Sequence, residues 1–129
     1  MTREELMIND IVFDYTNSPV KVCAVGQDIV VKNVFGVGVL DPNELNPIPL
    51  TEEILVNNGF VGVPLTDSYE LNTDYYEIEV WNYSDGLWVV NVHWIEFPST
   101  PESKATVSYV HELQHLFHLC GIEKELVID

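Results

Sequence analysis

Residues 111–115 read His111-Glu112-Leu113-Gln114-His115, the pattern H-E-x-x-H. On a helix, histidines four apart lie on one face and can both reach a tetrahedral zinc ion. The glutamate after the first can take a proton from a metal-bound water. A zinc-dependent hydrolase would use His111 and His115 as ligands and Glu112 as general base, and His118 extends the row to a third imidazole. A complete set of this kind asks for more: an acidic ligand on a second helix, or a third histidine in a G-x-x-H continuation. The chain runs only 14 residues past His115, and Gly121 should end the helix before Glu123 and Glu125. Three positions at i, i+4 and i+7 spread over about 10 Å of rise, too far to close easily on one ion. Composition alone would spell the five-residue pattern in roughly one such chain in a hundred.

The element that must carry these residues is a helix over about 109–120. Val107, Val110, Leu113, Phe117 and Cys120 fall on one apolar stripe, which Tyr109 and Leu116 widen. The histidines centre about 150° from that stripe, so they are expected to face solvent or another chain. Gln114 lies at the border of stripe and polar face, placed to hydrogen-bond strand-edge or loop backbone and fix the helix to a sheet. His93, in an alternating strand, is expected to be a satisfied sheet histidine rather than a ligand.

Ahead of the helix the sequence reads as short strands. Segments 10–15 and 19–25 flank the turn cluster Thr16-Asn17-Ser18, and 28–40 continues the sheet, with Gly36 and Gly38 permitting a bend or bulge. In 19–25, Val20, Val22 and Ala24 make one apolar face. These segments predict a small antiparallel meander of the kind that can curl into an SH3-like barrel. A proline-rich connector at 40–50 leads to a two-turn helix: Thr51 as N-cap, Glu52 and Glu53 at its positive end, Gly59 just past its end, Phe60 folding back on Leu55. Sheet returns at 69–97. Tyr76, Ile78 and Val80 share one face of an arm, Asp85-Gly86 is a hairpin turn, and Trp88, Val90, Val92 and Trp94 share one face of the next arm. Residues 98–105 are expected as a loop, 106–110 as strand-like, and 125–128 as a last edge strand. The fold class is α+β in a single domain, 1–129. A β-meander subdomain occupies 1–48; the helix, hairpin and C-terminal helix, packed on sheet, occupy 49–129.

Bulk properties narrow the function. The chain has 129 residues and a formal charge of −16, from 21 acids and five bases. Such a surface repels nucleic-acid phosphates and anionic lipid, so no direct nucleic-acid or membrane binding is expected. Cys23 and Cys120 form no C-x-x-C pair and read as reduced, buried, apolar residues of a cytoplasmic protein. The opening MTREELMIND has no apolar signal region, and no apolar run nears the roughly 20 residues of a membrane helix.

Several stretches together resemble a group of small proteins of Bacteroidetes bacteria and their phages or mobile elements. LMINDIVFDYTNSPVKVCAV is similar to that group's opening, PIPLTEEILVNNGF to its most specific signature, and YVHELQHLFHLCGIEKEL to its C-terminal signature. In that last pattern the position of Glu112 also takes Gln and that of His115 also takes Asn, neither of which can serve a zincin. The resemblance therefore implies a packing and capping role for the segment, and a non-enzymatic accessory protein acting through a protein partner or self-association. On that expectation there are no catalytic, cofactor-binding or metal residues. The alternatives are the zinc hydrolase (Glu112 catalytic; His111, His115 and His118 on the metal) and an acidic mimic of DNA that blocks a DNA-binding protein.

Overall fold

A computed structural model describes residues 1–95 and 103–128. By contacts the chain forms two compact units, Met1–Pro49 with Tyr109–Asp129, and Leu50–Ser108. Each holds one antiparallel sheet, in keeping with the α+β class.

The first sheet comprises β1 (Ile11–Phe13), β2 (Pro19–Val25), β3 (Ile29–Asn33) and β4 (Gly36–Leu40), in the order β1-β2-β3-β4. It is open, with β1 and β4 as edges. Its inner face buries Val12, Val20, Val22, Ile29 and Val31 against Leu6 and Leu45. The expected alternation fails at Ala24, which is exposed, because the β2–β3 register shifts between Val22 and Ala24. A bulge there moves the following side chains off the inner face. Segment 28–40 is two strands rather than one bent strand. The chain reverses at Val34-Phe35, where Asn33 Oδ1 accepts from Phe35 N–H at 2.8 Å and Gly36 takes φ 140°.

The second unit carries α1 (Glu52–Asn57) and the sheet β5 (Val61–Gly62), β6 (Ser68–Asn72), β7 (Tyr76–Ser84), β8 (Leu87–Trp94) and β9 (Ser103–Val107), paired in chain order. The helix signals act as expected. Thr51 Oγ1 accepts from Ile54 N–H at 3.2 Å; Gly59 is left-handed at φ 92°; Phe60 N–H donates to Leu55 O at 3.0 Å while both side chains are buried. Tyr76, Ile78, Val80, Trp88, Val90 and Val92 fill the core on the expected faces. Trp88 Nε1–H donates to Leu50 O at 3.0 Å. The expected loop at 98–105 falls partly outside the described residues, as do Glu96 and Phe97; strand begins at Ser103, earlier than the expected 106.

α2 (Val110–Leu119) belongs with the β-meander rather than with the hairpin segment. Pro49 and Tyr109 form an antiparallel bridge, and Val110 N–H donates to Ile48 O at 2.9 Å, so the helix leaves alongside the connector from the first sheet. Gly121 (φ 71°) ends it, and Ile122 N–H returns to Phe117 O at 2.8 Å. Residues 125–128 form no strand; Leu126 is buried and Glu125 pairs with Lys21 at 2.8 Å. Both cysteines are half-buried rather than buried. Among the described residues no helix is long and apolar enough to cross a membrane.

Candidate functional site

The apolar stripe of α2 packs as its spacing requires: Val110, Leu113 and Phe117 are buried. The histidine row does not face away from the core. His111 is only 5% exposed, and the side chain of His115 is 26% exposed; His118 alone is exposed as expected. The reason is a second covering layer. The N-terminal segment before β1 lies along this flank of the helix and brings Asp10, itself 2% exposed, to His115. Helical periodicity locates the face that meets a sheet, but it does not show a loop that closes over another face.

Asp10 anchors this layer. Its Oδ1 and Oδ2 lie 2.9 and 2.8 Å from His115 Nε2, and Oδ2 also accepts from Met7 N–H at 2.8 Å. Its backbone joins the sheet, with Val22 N–H donating to Asp10 O at 2.8 Å. Beside it, Asn9 is left-handed (φ 77°), a conformation asparagine tolerates better than most residues. A buried carboxylate needs such partners, because each unsatisfied oxygen would carry a desolvation penalty.

Gln114 fixes the helix to the strand edge, as its border position suggests. Ile11 N–H donates to Gln114 Oε1 and Gln114 Nε2–H donates to Asn9 O, each at 2.9 Å. The primary amide offers one acceptor and one donor to residues two apart, as a neighbouring strand would. It thereby caps the free edge of β1.

Glu112 Oε1 accepts from Tyr109 N–H at 3.1 Å, satisfying one of the amides that a helix start leaves without an intrahelical partner. The His111 ring stacks on Tyr109 (centroids 5.8 Å apart, planes 13° apart) and meets His115 edge-on at 5.5 Å. Burial holds the His111 imidazole below its ordinary range; the Asp10 carboxylate pulls the other way. Its Nδ1 is buried without a hydrogen-bond partner.

A groove of about 770 Å³ lies beside this cluster, lined in part by Met7, Asp10, Lys21, His115, His118 and Glu125. The residues lining it include no serine, threonine or cysteine to act as a nucleophile. Cys120, at the helix end, has its thiol pushed up by burial, the opposite of activation. His115 Nε2 is held by Asp10, and Glu112 Oε1 is held by the helix cap. Among the described residues no group of three or more His, Cys, Asp or Glu is placed to hold a metal ion. The cluster is a latch: an acid from the first loop, an imidazole and an amide from α2, and a capped helix start. Sequence reasoning missed Asp10, which reads only as the first residue of the strand segment 10–15.

The second feature that sequence reasoning missed is β4. Val34 and Phe35 in the turn before it are 93% and 94% exposed, and Val37 and Val39 on this edge strand are 71% and 63% exposed. They were legible only as strand, because an apolar run does not reveal which of its members has a partner.

In comparisons with protein-family models, with curated proteins and with solved structures, nothing matches the chain.

Proposed function

We propose that this is a non-enzymatic accessory protein that works by contact with another protein, of the phage or mobile-element type its signatures resemble. The observation that carries this is the β3–β4 hairpin. A hairpin with four exposed apolar residues, two in its turn and two on its edge strand, and no charge between Asn33 and Leu40 is an aggregation hazard in a protein that keeps it bare. Natural edges are usually blunted by lysine, proline or a covering loop. Its retention in so highly charged a chain supports a partner that covers it. The −16 charge supports a partner other than nucleic acid. The residues of the H-E-x-x-H motif serve the fold in the ways described above, which supports a non-enzymatic reading.

The test is affinity recovery of tagged protein from a native host, with the co-purifying chain identified and its stoichiometry measured. Wild-type protein should retain a partner near one to one, and a Phe35→Asp/Val37→Asp double variant should lose it. Turnover of a substrate by protein that recovers no partner would overturn the proposal.

A further inference from the structure

The β3–β4 hairpin specifies its occupant further, on the basis of the interaction function proposed above. In β4, Gly36, Gly38 and Leu40 pair with Asn33, Val31 and Ile29. A two-residue turn closes on a hydrogen-bonded pair, and hydrogen-bonded and non-hydrogen-bonded pairs then alternate. The backbone groups of Gly36, Gly38 and Leu40 therefore face β3, and those of Val37 and Val39 face outward at the open edge. Two N–H and two C=O groups stand there, spaced to receive another strand.

The side chains alternate in the same way. Val31 and Ile29 point into the core, so Gly36 and Gly38 occupy the inner face of β4. They contribute no side chain, and a Cβ built on either meets nothing within 4 Å. A groove of about 260 Å³ results, lined in part by Tyr15, Val20, Val31, Gly36, Gly38 and Leu40. This flank of the core lacks the side chains that an ordinary strand would supply, and an incoming strand could provide them.

Charge and geometry choose between a second copy and a different protein. Two copies would each bring −16. A symmetric β4–β4 pair would set glycine-bearing inner faces together, which fills the groove poorly. β4 spans only about 17 Å, too little by itself for a stable dimer interface. Asp14 and Lys32 both line the groove and Asp41 follows Leu40 directly, while the chain as a whole carries −16 and favours a basic partner.

We infer that β4 receives an extended segment of a different, basic protein as a fifth strand. Alternate apolar side chains of that segment enter the groove over Gly36 and Gly38, and flanking lysine or arginine residues meet Asp14 and Asp41. This is β-strand addition, in which main-chain bonds give affinity and alternate side chains give specificity.

The test uses random dodecapeptides displayed on phage, panned on the full chain, with enriched peptides then synthesised and titrated. Two variants separate the mechanism from fold damage. Val39→Pro removes an outward N–H but no bond to β3, and its preceding residue is a glycine, which tolerates proline after it. Gly38→Val fills the groove from within, at a position with open space and no positive φ. The expected result is enrichment of apolar cores flanked by Lys or Arg, with affinity falling roughly tenfold or more in each variant at unchanged melting temperature. Enriched peptides that bind both variants as well as wild type would overturn the strand-addition site while leaving a protein-contact function intact. A dimer made monomeric by Val39→Pro would overturn the choice of a different protein. Absence of any enrichment would overturn the inference; the broader function would fall only if recovery from the host also yielded no partner.

Discussion

Replacing Gln114 should loosen the first unit by an amount that its two hydrogen bonds set. In Gln114→Ala, the Asn9 carbonyl turns to water, because Asn9 is exposed. The cost is about 1 kcal/mol, that of one net hydrogen bond. Ile11 is buried, so its N–H loses its acceptor without gaining water. Stranding it adds about 1–3 kcal/mol. The sum is about 2–4 kcal/mol, a large share of a small domain's stability. Gln114→Glu sharpens the argument. The carboxylate still accepts from Ile11 but now sets an acceptor against Asn9 O, near the Asp10 charge. Its carboxyl pKa is therefore raised in the fold, and the deficit relative to wild type should shrink as pH falls and a carboxylic acid proton replaces the lost donor. The assays are thermal unfolding by far-ultraviolet circular dichroism and amide hydrogen exchange at Ile11. Tryptophan fluorescence would not serve, since Trp81, Trp88 and Trp94 all lie in the other unit. An Ile11 amide exchanging as slowly in Gln114→Ala as in wild type, with an unchanged midpoint, would refute the account of α2 as a clamp on β1.

Three further outcomes are expected. His111 has a lower pKa folded than unfolded, so below about pH 6.5 the unfolded chain binds the extra proton first. Its contribution should reduce stability as pH falls and level off once the folded-state imidazole protonates; His111→Leu should remove that part of the pH dependence in paired denaturation curves. Trp88→Phe should cost about 1 kcal/mol or more in urea melts read at the remaining tryptophans, because Leu50 O loses its buried donor. Glu70 and Glu79 are directly cross-strand, so Glu79→Gln should stabilise the second unit by about 0.2–1 kcal/mol, more at low salt.

Much of the architecture was legible because local rules fixed it. Thr51, Gly59 and Gly121 mark helix ends through capping chemistry that acts within a few residues, and the alternation at 76–80 and 88–94 needs only a pleated strand with one buried face. Legibility failed where a distant segment decided the outcome. The turn at Val34-Phe35 carries no glycine or proline of its own, and its Asn33 and Gly36 flanks were absorbed into one apolar run. His111 and His115 looked outward because nothing in the helix announces that residues 7–10 will cover them. Gln114 was the exception: its border phase, together with the hydrogen-bonding capacity of an amide, was enough to indicate a backbone partner. The exposed valines of β4 show the opposite limit, since hydrophobicity predicts burial and cannot say by what.

The proposed function assigns the H-E-x-x-H segment to the fold and the protein contact to the β4 edge. Glu112→Gln tests it most directly. Glutamine at this position can still accept from Tyr109 N–H and cap the helix, but it cannot act as a general base. Melting temperature should be unchanged and partner recovery from the host undiminished. Loss of the protein's biological effect in a variant that melts normally would contradict it and return the motif to chemistry.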